Sequence, residues 1–320
     1  MKYRKLGRTG LLVSEISFGG WLTVGGTLEE ENSIKIIQRC FDKGVNLFDT
    51  AEVYCEGQSE IVFGKALSQI PRDEFVLATK VRGRWNKGTN LEGFSRKHIY
   101  DAVHGSLKRL KVDYIDIYQL HWYDPETPLE ETMTTLNDLV RQGKILYIGC
   151  SNFTTEQLRD ALEICDAKNL ERFISIQPPY NMFYRKIEDT LLNRCKVEGI
   201  GAIVYSPLAQ GVLTGKYRPG KKPPAGSRGV NKDSTIKRWL KPEYLKAVVK
   251  LEKIAKRKNR TLSQLALAWI LRRDEVSSTI VGATSIKQAD ENIRASDYKL
   301  SGKELDEIEK IISDFPMAPK

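Results

Sequence analysis

Histidine is scarce in this chain: His98, His104 and His121 are the only three in 320 residues, and no H-x-H pair occurs. A metal-dependent hydrolase needs several ligands held close together, so that class has too few donors and no metal site is expected. Cys40, Cys55, Cys150, Cys165 and Cys195 make an odd count without a C-x-x-C pair. They exclude a disulfide framework and a structural zinc, and they point to a reducing compartment. Long apolar runs are missing as well. Met1-Lys2-Tyr3-Arg4-Lys5 leads into Gly7 and Gly10, and Glu15 breaks the next apolar stretch. Neither a signal peptide nor a membrane span is expected, and the chain is read as cytoplasmic. No G-x-G-x-x-G opens a helix after a strand, which excludes an ordinary Rossmann site. Gly211-Val212-Leu213-Thr214-Gly215-Lys216-Tyr217 imitates a P-loop, but it is one residue short and lacks the final Ser or Thr.

Acids are outnumbered, 41 against 51 Lys and Arg, for a formal charge of +10. Most basic residues alternate with acids on helical faces, which is a solvated surface. The exception is 216–241, with Lys216, Arg218, Lys221, Lys222, Arg228, Lys232, Lys237, Arg238 and Lys241 against Asp233 alone. Such a loop suits a phosphate, or simply water. It lacks the run of interleaved aromatics that base stacking needs, so nucleic acid is not the expected partner.

With 41% apolar and 29% charged residues, the chain has enough apolar surface for one large core. A hairpin is expected over residues 2–14, around Gly7-Arg8-Thr9-Gly10, plugging one end of that core. Strands are then predicted at 16–19, 45–49, 75–81, 114–121, 145–149, 173–177, 200–205 and 278–281. Between and after them lie a helix with Ile34, Ile37 and Phe41 on one face that stops at Gly44, helices near 58–69, 96–110 and 128–142, one opened at Thr154, helices near 184–198, 243–258 and 262–272, then one from about Ser285 and a last one from Ser301. Thr127 is expected to cap the 128–142 helix, and Thr154-x-x-Gln157 and Ser301-x-x-Glu304 read as capping boxes. Eight strands alternating with helices give an α/β fold: a (β/α)8 TIM barrel over residues 1–320 as a single domain, with an N-terminal β-hairpin cap and extra C-terminal helices.

In such a barrel the site lies at the C-terminal strand ends. The second strand ends at Asp49, with Tyr54 five residues on; the third ends near Lys80, and the fourth near His121. Singly, each has a plain reading: a loop-capping carboxylate, a rim lysine, a loop aromatic, a satisfied core histidine. Together at three consecutive strand ends they form a catalytic group. A phenol of pKa about 10 needs help to act as an acid near neutrality, and an adjacent ammonium would lower it. Asp49 would orient Lys80, and His121 would donate to a substrate oxygen. None of the four can supply hydride, so a nicotinamide cofactor is required.

These residues resemble the aldo-keto reductases over essentially the whole chain. The motifs are Phe48-Asp49-Thr50-Ala51-Glu52-Val53-Tyr54, Ala78-Thr79-Lys80, Leu120-His121-Trp122, Gly149-Cys150-Ser151-Asn152-Phe153, Tyr205-Ser206-Pro207-Leu208-Ala209-Gln210-Gly211 and Gly282-Ala283-Thr284-Ser285. Their style is closest to the branch containing potassium-channel β subunits and bacterial general-stress reductases. The resemblance implies Asp49, Tyr54, Lys80 and His121 as the catalytic tetrad. It implies Ser151, Asn152 and Gln177 on the nicotinamide carboxamide, Tyr205 stacked on the ring, and Gly20 and Trp21 beside it. Ser206, Pro207, Leu208, Ala209 and Gln210 would line the pyrophosphate path, with Lys216 and Arg228 reaching phosphates. Gly282, Thr284, Gln288, Glu291 and Asn292 would hold the adenosine end.

The implied cofactor is NADPH, with NADH as the alternative. Classical monomeric reductases carry Lys-Ser where this chain has Gly282-Ala283, so the preference would rest on Lys216, Arg228 and Thr284. Trp21, Tyr54, Trp85, His121 and Trp122 are the expected substrate pocket, with Tyr180 a further aromatic candidate. The expected partner is a small carbonyl or alcohol, and the likeness permits an oligomer. The competing reading is a cofactor-binding regulatory or redox-sensing subunit. Channel β subunits characteristically carry Asn where this chain keeps His121.

Overall fold

A short β-branched strand followed by an amphipathic helix returns to the sheet by parallel pairing, and repetition of that unit wraps the sheet on itself. The computed structural model describes residues 1–83, 88–230, 235–313 and 315. It begins with an antiparallel hairpin, β1 (Tyr3–Lys5) and β2 (Leu12–Ser14). The alternation then runs β3 (Ile16–Gly19), α1 (Glu30–Asp42), β4 (Leu47–Asp49), α2 (Gln58–Leu67), β5 (Val76–Val81), α3 (Arg96–Leu110), β6 (Ile115–Leu120) and α4 (Leu129–Arg141). It continues through β7 (Ile145–Ser151), α5 (Thr155–Lys168), β8 (Ser175–Gln177), α6 (Leu191–Glu198), β9 (Gly201–Val204), α7 (Pro242–Lys256), α8 (Leu262–Ile270), β10 (Val276–Val281), α9 (Ile286–Ile293) and α10 (Gly302–Ile312). Strands β3 to β10 form a closed barrel in chain order, with β10 pairing parallel to both β9 and β3.

Two apolar clusters hold it. The larger lies between the sheet and the helices; the smaller joins Leu47, Val76, Ala78, Ile117, Ile203 and Ile280 with Leu6 and Val13 of the hairpin region. The hairpin therefore closes the end of the barrel where strands begin. Arg4 fixes it there, donating to the carbonyls of Leu271, Arg273 and Val276 while pairing with Glu15 at 2.8 Å.

Three local expectations change. Residue Thr127 does not cap α4: its hydroxyl donates to Asp124 at 2.8 Å, and Pro128 occupies the cap position without a side-chain bond. The helix expected from 184 begins only at Leu191, because Asn181 and Tyr184 bond each other's backbones in a tight turn and Arg185 reaches out to Ile312 and Glu309. Strand β7 runs two residues past its expected end and carries Ser151 within the ladder opposite Gln177. Both expected capping boxes form, and Thr261 with Gln264 makes a third. Among the described residues, no helix is long and apolar enough to cross a membrane.

Candidate active site

Alternate residues of a barrel strand face inward, so each inner face can be read from the hairpin end upward. Strand β4 presents Leu47 and then Asp49; β5 presents Val76, Ala78 and then Lys80; β6 presents Ile117 and then Gln119. Apolar side chains fill the lower layers and polar ones the top. The switch from packing to chemistry is thus written along each strand.

Lys80 is wholly buried, and its Nζ lies 2.6 Å from Asp49 Oδ1, 2.7 Å from the Thr50 carbonyl and 3.3 Å from the Tyr54 hydroxyl. An ammonium has three N–H donors, and all three are engaged. Tyr54 is carried to this point by a turn in which its N–H donates to the Ala51 carbonyl, while the Glu52 N–H donates to the Lys80 carbonyl. The His121 ring stands edge-on to Tyr54, with centroids 5.6 Å apart, and stacks on Trp122 at 3.8 Å. Acid, phenol, ammonium and imidazole therefore converge.

One electrostatic expectation is reversed. Burial, reinforced by the Asp49 charge, holds the Tyr54 phenol well above its usual range. An isolated ammonium would have favoured phenolate; here Asp49 sits 2.6 Å from Nζ and largely cancels that field. Burial likewise lowers the Lys80 pKa, against the opposing pull of Asp49. The phenol is consequently a proton carrier at neutral pH, whose O–H can be offered to an acceptor in the cavity.

Burial, with the positive charges of Lys80 and Arg82, keeps His121 well below the ordinary histidine value of 6.5. Its ring is neutral at pH 7, and Nδ1 has no partner among the described residues. The folded imidazole stays neutral where the unfolded one takes up a proton. The stability it contributes is therefore whole above pH 6.5 and lost as pH falls through the window below it. Denaturant midpoints measured at pH 7 and pH 5 are expected to drop further for the parent protein than for His121→Asn.

Above the tetrad opens a cavity of about 830 Å³, of a size suited to a cofactor with room for a substrate. Its walls include Trp21, Asp49, Tyr54, His121, Trp122, Ser151, Asn152 and Gln177 near the tetrad. Farther along come Tyr205, Ser206, Pro207, Leu208, Gln210, Lys216 and Arg228, then Gly282, Thr284, Gln288, Glu291 and Asn292 toward α9. A dinucleotide fits this donor set. Asn152 is held in the left-handed region at φ 57°, its amide donating to the His121 carbonyl at 3.0 Å and accepting from the Tyr205 hydroxyl at 2.8 Å. Lys216, Arg228 and Arg238 line the same cavity and have no carboxylate partner among the described residues. Arg228 is half-buried over the Trp21 ring, and burial lowers its pKa. A guanidinium partly desolvated and without a carboxylate among the described residues favours an anion beside it.

Two expected cofactor residues stand back from the wall. Gly20 packs against α2, where an added Cβ would lie 2.5 Å from Ser59 Oγ and 2.6 Å from Phe63. Ala209 is buried in the turn below the cavity. Tyr180 is fully buried, bonded to Glu188 and Arg272, and does not line the cavity. Trp85 lies outside the described residues. Sequence reasoning missed Asn181, which donates to the Ser206 carbonyl at 3.0 Å; Arg238, named there only within the basic loop, and Trp239 also lie on the wall. It also missed Gln119, whose amide is 3.3 Å from Asp49 Oδ2. The available signal was its inward phase, two residues before His121.

Residues 15–313 match the Aldo/keto reductase family. The chain is 40% identical over 327 residues to a probable voltage-gated potassium channel subunit beta of Arabidopsis thaliana, spanning 100% of this chain and 99% of the relative. A probable voltage-gated potassium channel subunit beta of Oryza sativa is 39% identical, covering 99% and 98%. A putative voltage-gated potassium channel subunit beta of Schizosaccharomyces pombe is 40% identical, covering 98% and 94%. The closed barrel, the convergent strand ends and the full-length similarity make this chain a member of the aldo/keto reductase family.

Proposed function

We propose that this protein is an NADPH-dependent carbonyl reductase, with Asp49, Tyr54, Lys80 and His121 as its catalytic residues. The observation that carries the reading is the third donor of Lys80, directed at the Tyr54 oxygen while the other two are fixed by Asp49 and Thr50. That leaves the phenol O–H free to turn to a carbonyl oxygen in the cavity. A bound nicotinamide cofactor would supply the hydride for the carbonyl carbon. As the oxygen gains charge, Tyr54 gives up its proton and Lys80 stabilises the phenolate left behind. Neutral His121 donates a hydrogen bond to the same oxygen and orients it. In the oxidative direction the same residues accept the proton from an alcohol.

Ser151, Asn152 and Gln177 offer the donors and acceptors that a carboxamide requires, Tyr205 offers a ring face, and Lys216, Arg228 and Arg238, without a carboxylate partner among the described residues, suit phosphates. Trp21 and Trp122 flank the opening, and both are more than two-fifths exposed, which favours a flat aromatic aldehyde. The test is consumption of NADPH with a panel of aromatic aldehydes; turnover supports the reading, and none with any aldehyde counts against it. Arg228→Ala is expected to weaken NADPH by about tenfold or more and NADH much less, since a buried charge-assisted contact to the 2′-phosphate is lost. Fluorescence titration with each cofactor checks this, and equal losses would remove Arg228 from that role.

The names of the relatives favour a second reading, a cofactor-binding subunit of a potassium channel. Retention of the histidine at 121 supports the enzyme. Cofactor binding without turnover would favour the subunit.

A further inference from the structure

Asp49 has two carboxylate oxygens, and only Oδ1 meets Lys80. Oδ2 receives the Gln177 amide at 2.8 Å and the Gln119 amide at 3.3 Å, and the Gln177 amide also donates to Gln119 Oε1 at 3.2 Å. The three side chains close a triangle at the top of the barrel interior. They differ in what can reach them. Gln177 lines the cavity; Gln119 is 0% exposed, does not line it, and lies behind both partners on β6, in register with Lys80 on one side and Gly149 on the other. Gly149 is needed there by its other neighbour: an added Cβ would meet Ser175 Oγ at 2.4 Å, while Gln119 Cγ would lie at an ordinary contact distance.

This geometry raises a conflict that rests on the proposed function. The Gln177 amide, assigned there to the cofactor's carboxamide, is already engaged on Asp49. A cofactor that draws Gln177 away would strip the better donor from Oδ2 of a buried carboxylate, and a buried oxygen left short of a donor is costly even while Lys80 holds the other oxygen. We propose that Gln119 is a positioning residue that takes over Asp49 Oδ2 when Gln177 turns to the cofactor, so that Oδ2 keeps a donor and Lys80 stays oriented toward Tyr54. In the exchange Gln119 loses a neutral amide contact to Gln177 and strengthens a charge-assisted one to Asp49. Charge-assisted bonds are about twice as strong as neutral ones. The exchange therefore offsets part of what the lost Gln177 bond costs, and removing Gln119 withdraws that offset from a position that does not line the cavity.

The test is a fluorescence titration of the full-length protein with NADPH for the parent, Gln119→Leu, Gln177→Met and the double variant, with each fold verified by its thermal transition. The expected result for Gln119→Leu is about five- to tenfold weaker binding. In the Gln177→Met background the same change is expected to have little effect, because no exchange remains to be made. Gln119→Met, which keeps the volume and loses the amide, is expected to repeat the result and replaces the leucine variant if that one does not fold. Activity gives the second readout: kcat for an aromatic aldehyde falls in Gln119→Leu while the aldehyde KM holds. Parent-like NADPH affinity in both Gln119 variants, or additive losses in the double variant, overturns the relay alone. A parent protein that binds no NADPH overturns the relay and the proposed function together.

Discussion

Replacing Tyr54 by phenylalanine is expected to lower kcat for aldehyde reduction by about 10²- to 10⁴-fold, the usual contribution of a positioned general acid, with the NADPH dissociation constant nearly unchanged. The phenyl ring keeps the shape that faces His121 at 5.6 Å, so the cavity is preserved and only the proton donor is lost. His121 is too poor a substitute, because its neutral ring orients the oxygen without the coupled ammonium needed to stabilise what remains after proton transfer. The aldehyde KM should change little, since the hydroxyl acts chiefly on charge that develops in the transition state. Steady-state assays with the cofactor titration alongside distinguish the outcomes. A large rise in KM with unchanged kcat would mean that Tyr54 binds substrate rather than protonating it.

The second large effect is expected at Lys80. Lys80→Met removes the charge but keeps most of the volume of a wholly buried side chain, so packing changes little and electrostatics change entirely. It leaves Asp49, only 4% exposed at its side chain, with the two glutamine amides and no cation. Breaking a buried pair from one side costs about 3–5 kcal/mol. The low end applies here, because the glutamines remain as donors. Urea titration is expected to show a lower midpoint with an unchanged slope, which marks lost stability without a change in the surface exposed on unfolding. Turnover should fall together with stability. The double variant Asp49→Asn with Lys80→Met leaves no buried charge behind and should recover part of the stability, but none of the turnover. Recovery of turnover would mean that the ammonium is structural and acts on no proton.

Much of this site could be read from the chain, for reasons that particular residues make plain. Asp49 and Lys80 each end an apolar, inward-facing run, and a charge at the top of such a run has only the barrel mouth to occupy. His121 comes directly after β6, and its strand position was readable from Ile115 and Ile117. Gln119 was not, because a lone amide inside a β-branched strand looks like tolerated polarity until its neighbours across the ladder are known. The shifted start of α6 had a similar cause. Residues 184–190 have helical spacing, but Asn181 and Arg185 form long-range bonds that compete with the helix. The direction of the Tyr54 shift also depended on distance, since the sequence names an ammonium and an acid without saying that 2.6 Å separates them.

The wall of the cavity shows the same division. The strand-end and helix-entry residues Ser151, Gln177, Gly282 and Thr284 fall on it as the motifs suggest. Gly20 and Ala209 do not line it: Gly20 packs against Ser59 and Phe63, and Ala209, though inside a matching motif, is buried, because a motif fixes a backbone path and not the direction of each residue along it.

The most direct measurement is a single turnover. Protein loaded with NADPH is mixed with excess aromatic aldehyde, and the absorbance of the reduced nicotinamide is monitored. The expected result is loss of that absorbance in one phase, with one alcohol formed for each bound cofactor. A cofactor that remains bound and reduced through the whole aldehyde panel would contradict the claim that Tyr54, poised on Lys80, completes a working reductase.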